Sequence, residues 1–353
     1  MSVTTTTTAA GVPRNTSTQS KYVSYLLATL RFTLSRILQA VGLVFGVVAV
    51  MFVLIRMAPG DPVQAMVGDF PVPDEYRAQI ERQYHLDDSL LVQFLAYLRN
   101  ILRGDLGYSY ASHQSVRDLI LDRLPATLLL TVAGLAAAAV IGIVVGTWSA
   151  VSSRRSTRAF LDTTVLFGFS IPTFWLGEML VLLFALKLGW LPSGGMSDPR
   201  AETSGLGSLL AVGPYLILPA AALGIRELAA TARIAKGSTM GVLSEDYIVT
   251  ARSKGLSTAA TIRGHVLRNA ALPIIASLGY RVGLALAGAV TIEVVFSWPG
   301  IGRLLYQAII ARDNSVVVGV ILVIAILVIV ANLLTELLYR VMDPRIKGAR
   351  HGR

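Results

Sequence analysis

The sequence predicts an all-α, polytopic membrane protein with six transmembrane helices, and three observations predict it. The first is composition: of 353 residues 54% are hydrophobic and only 15% charged, with a mean hydropathy of +0.63, whereas a soluble domain carries about 25% charged residues. The second is length. A helix needs about 20 apolar residues to cross a hydrocarbon layer about 30 Å thick, and six segments reach that length without strand alternation. The third is the placement of Lys and Arg, which gather in alternate connections between those segments, as the orientation rule for membrane helices requires.

Taken in order, residues 1–20 form a Thr/Ser-rich tail with a run from Thr4 to Thr8. It has nothing to build a core from and is expected to be disordered in the cytoplasm. Residues 21–56 hold the first span, Ile37 to Ile55. This run is too long for a cleaved signal peptide and has no small-residue cleavage site after it, so it reads as a retained signal-anchor. Residues 57–123 are expected outside the cytoplasm. They are rich in Asp and Glu, with helices over Asp74 to Gln83, just after Pro73, and over Ser89 to Leu102. The apolar face of the second helix is expected against the protein's own helices or the lipid interface, with a partner surface as the alternative. Residues 124–340 hold five more spans, roughly Leu124–Ala150, Phe160–Leu186, Pro214–Ala235, Ala271–Trp298 and Val316–Tyr339. Pro172, Pro219 and Pro273 can bend or end their helices, and the Gly and Ala of Ala133 to Gly146 suit close helix contacts. Residues 341–353 form a second cytoplasmic tail. Arg154, Arg155 and Arg158, the basic segment 236–270 and Arg340 to Arg353 fall on one side if there are six spans, so both termini are expected in the cytoplasm.

Several function classes drop out. Without cysteine there is no disulfide, thiolate ligand or cysteine nucleophile. His85, His113, His265 and His351 are too scattered for a metal site. The net charge of +10 is explained by basic residues flanking the spans rather than by nucleic acid. No phosphate-cradling G-x-x-x-x-G-K-[ST] is present, and no triad or carboxylate pair suits catalysis. No cofactor is expected in this chain.

The most informative stretch is Ser244 to Pro273, polar and basic between two long apolar segments. Glu245 to Ser253 suits a short helix with Tyr247, Ile248 and Ala251 on one face. Gly255 allows a sharp left-handed turn after it. The pattern A-R-x-K-G-L followed by H-x-L-R-N-A and proline resembles the cytoplasmic coupling loop of ABC importer permeases. It is most similar to the B-type subunit of the dipeptide/oligopeptide/nickel family. Further stretches carry the resemblance from Phe32 to Lys347: RMAPGDP (56–62), RGDLGYSY (103–110), IPTFWLG (171–177), LGWLPSGG (188–195), IEVVFSWPGIGRLLYQAIIARD (292–313) and LLYRVMDPRIKG (337–348). The broader importer motif, E-A-A, a spacer, G, a longer spacer and I-x-L-P, is only partly kept. Gly255 holds the glycine position, Val249 to Ala251 replace E-A-A, His265 and Leu267 replace I and L, and the proline arrives late at Pro273.

The resemblance implies a type I ABC importer permease fold and a non-catalytic membrane subunit in a bacterial plasma membrane. It implies a second homologous permease subunit, two ATPase subunits or one fused ATPase holding ATP and Mg, and an extracytoplasmic peptide-binding protein. Glu245, Asp246, Tyr247, Ala251, Arg252, Lys254, Gly255 and Leu256 would form the ATPase-coupling element; the alternative is an ordinary amphipathic interfacial helix. Di- or oligopeptides are the expected substrate. A nickel or glutathione importer is the rival within the family; a proton-coupled secondary transporter and a membrane scaffold are rivals outside it.

An ionisable side chain at membrane depth is costly unless paired or hydrated, so it marks either a buried pair or a pathway. Glu178, Arg226, Glu227, Arg281 and Glu293 qualify. The structural expectation is that Glu227 neutralises one arginine between the fourth and fifth spans. The functional one is that an arginine faces the path and attracts a peptide carboxylate. Glu293 is expected to serve a gate or a helix end rather than to touch substrate.

Overall fold

The computed structural model describes residues 16–57, 63, 73–83, 88–109, 111–197 and 206–342. Most of the two expected tails, most of the RMAPGDP stretch and the DPRIKG close of the chain lie outside the described residues. Among the described residues, five helices are long and apolar enough to cross a membrane, or six if one bent pair is a single span.

Helix α1 (Thr16–Met57) begins inside the segment expected to be a tail and runs unbroken through the first span. Its membrane part is peripheral. Leu34, Leu38, Val41 and Phe45 are exposed, as suits lipid contact, and Arg36 pairs with Glu336 at 3.0 Å to tie it to the last helix. Next come α2 (Asp74–Gln83) and α3 (Leu90–Leu102), with Ser89 as the extended N-cap residue. The apolar face of α3 divides. Phe94 stacks edge-on against Phe45 and Phe52 of α1, while Leu91, Leu95 and Leu102 remain exposed.

A short hairpin, β1 (Tyr108–Ser109) with β2 (Gln114–Ser115), leads into α4 (Val116–Val151). The expected start of this helix at Leu124 is corrected. Pro125 lies inside it, and the true cap is Ser115, whose Oγ accepts from the Asp118 N–H at 3.1 Å. The added turns bury Val116, Leu119 and Ile120 against Ile301, Leu304, Val316 and Val320.

The third expected span is not one straight helix. It is α5 (Arg155–Ser170) and α6 (Thr173–Leu180, continuing as a π-helix through Lys187), bent by 104° at Ile171 and Pro172. Proline disfavours the α conformation in the residue before it, and Ile171 is extended. Pro219 and Pro273, by contrast, lie within continuous helices.

Helix α7 (Leu206–Leu243) runs on past the expected end at Ala235. It packs along α4 through small residues: a Cβ on Gly146 would lie 2.2 Å from the Ala232 carbonyl oxygen, and one on Gly224 would lie 2.8 Å from that of Gly134. The chain then forms α8 (Asp246–Ser253) and α9 (Thr258–Thr261). A π-helical turn, Ile262–Val266, leads on into α10 (Leu267–Val295). Last come α11 (Ile301–Ile310) and α12 (Asn314–Met342). The core around Trp298, Phe296, Leu130, Leu218 and Leu223 joins α4, α7 and α10 at one end, and Ala235, Ala270 and Ile274 close the other.

Candidate coupling and translocation sites

The segment between α7 and α10 is a compact helical turn. Glu245 is extended before α8, and Asp246 in the first turn and Arg252 in the last complement the helix dipole. Ile248 and Ala251 are buried and pin α8 to the body. The Tyr247 hydroxyl accepts from Asn269 Nδ2 at 2.9 Å, and Asn269 also donates to the His265 carbonyl. At the other end the Gly255 N–H donates to the Arg252 carbonyl at 2.9 Å and the Leu256 N–H to that of Ala251 at 3.4 Å. Gly255 sits at φ +83. Those paired bonds across a left-handed glycine are a defined helix stop, and they turn the chain into the next cap, Ser257, whose Oγ accepts from the Ala260 N–H.

Sequence reasoning placed Glu245, Asp246, Tyr247, Ala251, Arg252, Lys254, Gly255 and Leu256 in one element, and the fold divides them. Ala251 faces inward, only 6% exposed; the others are exposed. Val249, 61% exposed, was not among the candidates, yet it is exposed as Tyr247 and Leu256 are. Helical spacing would have found it, because a residue one before Thr250 and two before Ala251 cannot share the inner face of Ile248 and Ala251.

The membrane-depth charges also separate. Arg281 Nη1 donates to Glu227 Oε2 at 2.7 Å, and Arg281 Nε to Ser277 Oγ at 3.2 Å. The pair joins α7 to α10, with side chains only 16% and 8% exposed. Arg226, the preceding residue, is exposed on another face of α7, its guanidinium 6.0 Å from the centre of the Phe169 ring. Glu178 is exposed on α6, and no partner is found for it among the described residues.

Glu293 is fully buried. Its Oε1 accepts from Thr127 Oγ1 at 2.6 Å, and its Oε2 accepts from the Gly302 and Arg303 N–H groups at 2.7 and 3.0 Å. Thr127 Oγ1 in turn accepts from the Ile301 N–H at 2.9 Å. Glu and Thr together thus cap the N-terminus of α11, where free N–H groups and the dipole favour a carboxylate. The carboxylate is consumed by the protein's own backbone and has no room for substrate. A similar latch holds α12, where Asp313 Oδ1 accepts from the Val316 N–H and Oδ2 from Ser109 Oγ of the hairpin. Among the described residues no cluster of His, Asp and Glu has the makings of a metal site.

Comparison with known proteins decides the family. Residues 142–348 match the family model described as binding-protein-dependent transport system inner membrane component, and residues 29–131 match the model of its N-terminal region. The chain belongs to that family. It is 39% identical over 320 residues to the di/tripeptide transport system permease protein DppB of Pseudomonas aeruginosa (strain UCBPP-PA14), covering 87% of this chain and 95% of that protein. It is 37% identical to the dipeptide transport system permease protein DppB of Escherichia coli (strain K12), covering 90% and 99%. To the oligopeptide transport system permease protein AppB of Bacillus subtilis (strain 168) it is 34% identical, again over 90% and 99%. Among solved structures, inward-facing MetNI methionine ABC transporter chains align with TM-scores of 0.50 and 0.51 at 17% identity, each covering 64% of this chain and 96% of that one. At that identity the likeness speaks for the fold alone. The permease is a multi-pass bacterial inner-membrane protein and the non-catalytic membrane component of an ABC importer, a class that works in complex with ATPase and substrate-binding partners.

Proposed function

We propose that this permease is one of two homologous membrane subunits of an ATP-driven importer of di- and oligopeptides, and that α8 is the element seated on an ATPase subunit. The partners in this reading are a second permease, two ATPase subunits or one fused ATPase binding ATP and Mg, and an extracytoplasmic peptide-binding protein. With the bent pair α5–α6 as one crossing, six crossings would leave both termini and α8 on one side, and the density of Lys and Arg there supports the cytoplasm as that side.

The observation that carries the reading is the construction of α8. It is pinned by two buried residues and stopped by a left-handed glycine. It also holds Tyr247, Val249 and Leu256 outward among charges, at 41%, 61% and 41% exposure. Apolar side chains held rigidly in a polar connection suit a protein socket. A helix fixed at both ends transmits a push to α7 and α10 rather than absorbing it. Closure of the ATPases on ATP would move α8 and, through it, open the path outward for peptide delivered by the binding protein. The names of the relatives support peptide as the cargo.

The test is uptake by the purified complex in proteoliposomes. ATP-dependent peptide accumulation is expected, lost on deleting Glu245 to Gly255 and on the milder Val249→Asp with Leu256→Asp. Accumulation driven by a proton gradient without ATP would contradict the reading, as would uptake of nickel or glutathione in place of peptide.

A further inference from the structure

Arg226 stands near the middle of α7, about 24 Å along the axis from Leu210 at 1.5 Å per residue. It is exposed, and lipid cannot cover a guanidinium at that depth without great cost. Its face therefore borders water or polar matter. Arg233 lies on the same face two turns further in, 5.0 Å from the centre of the Phe169 ring that Arg226 also approaches. Among the described residues neither arginine has an acidic partner. Glu227 is taken by Arg281, and Asp162 by Lys236 at 2.6 Å together with Ser149. A cavity of about 310 Å³ opens beside this group, walled by Val165, Leu166 and Phe169 and edged by Arg233 and by the Lys236–Asp162 pair, whose charges cancel.

We infer that Phe169, Arg226 and Arg233 form a carboxylate-binding station on the translocation path, which takes the C-terminal carboxylate of a peptide in transit while the cavity accepts an apolar side chain beside it. This rests on the peptide-importer reading. The phenyl ring draws both guanidinium groups towards it, and a guanidinium held in place offers the forked hydrogen bonds that a carboxylate matches. Among the described residues no acid pairs with either of them, so an anion is drawn in. A lipid phosphate does not fit both arginines: headgroups lie about 15 Å from the bilayer centre, too far out for Arg226. Two cations spaced along α7 also give a carboxylate two successive footholds, so that it is held at neither too tightly to leave.

The experiment uses the reconstituted complex and two substrates, a tripeptide with a free C-terminus and its C-terminal amide. The ratio of their ATP-dependent uptake rates is compared between the wild type and Arg226→Gln with Arg233→Gln. The binding protein is the same in both, so its own preference cancels. The preference for the free carboxylate is expected to fall about tenfold, the scale of a lost charge-assisted hydrogen bond. A wild type that imports peptide, with a ratio the substitutions leave unmoved, overturns the station alone; a wild type that imports no peptide overturns the importer reading with it. A second arm needs no transport. The chain has no cysteine, so Arg226→Cys and Arg233→Cys report on access. Both should react in the assembled complex with a water-soluble sulfonated thiol reagent and be protected by peptide. Resistance in every nucleotide state would mean that a partner subunit seals this face, and would overturn the inference.

Discussion

Glu227 and Arg281 meet at 2.7 Å between α7 and α10, while Arg226, next to Glu227 in the chain, meets the ring of Phe169. One residue of helix rotation separates the face of α7 that meets α10 from the face that meets Phe169 of α5. Removing one partner of a buried pair leaves the other charge uncompensated, at a cost of about 3–5 kcal/mol. Arg281→Gln should therefore lower the thermal midpoint of the purified complex and the amount of protein in the membrane. Adding Glu227→Gln should restore much of the loss. A double variant as unstable as the single would mean that the pair contributes through packing, not charge.

The cap on α11 gives a second prediction. Glu293→Ala strands the Gly302 and Arg303 N–H groups and the Thr127 hydroxyl, and each buried polar group left without a partner costs about 1–3 kcal/mol. Thr127→Val loses its bonds to Glu293 and to the Ile301 N–H and should destabilise by a smaller amount, whereas Thr127→Ser should be close to neutral. Thermal melts of the three variants give the order, and a Glu293→Ala complex of undiminished stability that has lost only transport would place Glu293 on the path instead.

Close approach of α4 and α7 is testable with a single methyl group. Gly146→Ala puts a Cβ 2.2 Å from a backbone oxygen and should cost about 1–3 kcal/mol as the helices part. Gly42→Ala, in open space on α1, should be neutral or slightly stabilising, since Ala is the better helix former by about 1 kcal/mol. Equal melting temperatures for the two would remove the small-residue seam as a cause of the fold.

Gly255 tests the stop of α8. Nothing lies within 4 Å of a Cβ built there, so Gly255→Ala meets no clash. It meets only the left-handed backbone, at a cost of about 1–2 kcal/mol. The expected outcome is a complex that assembles but imports less peptide per ATP hydrolysed. Gly255→Asn, which tolerates that conformation better, should retain most of the coupling. A ratio unaffected by alanine would show that the turn need not be rigid.

How much of this was legible in the sequence depends on the range of the interaction. Apolar length pointed to the spans, and Gly255 after a short helical run pointed to a helix stop, because both are local. The apolar run that begins at Leu124 misled, since the first turns of α4 carry Arg117, Asp118, Asp122 and Arg123, while the real signal was Ser115 followed by Val116, Leu119 and Ile120 at helical spacing. Pro172 marked a break but not its 104° angle, which packing on α7 and α10 sets. The choice between Arg226 and Arg281, and the roles of Phe169 and Arg233, depend on which faces of separate helices meet. Thr127 with Glu293 and Ser109 with Asp313 join positions 166 and 204 residues apart, and no single sequence shows such partners.

The central claim is that the outer face of α8 rests on an ATPase, and proximity tests it most directly. With the chain free of cysteine, Val249→Cys, Leu256→Cys and Ala251→Cys can each be treated with a short bifunctional thiol reagent in the intact complex carrying single-cysteine ATPase subunits. The account predicts nucleotide-dependent cross-links to the ATPase from 249 and 256 and none from the inward-facing 251. Failure of 249 and 256 to cross-link to the ATPase in any nucleotide state, with both reacting with an impermeant reagent from outside intact cells, would contradict it.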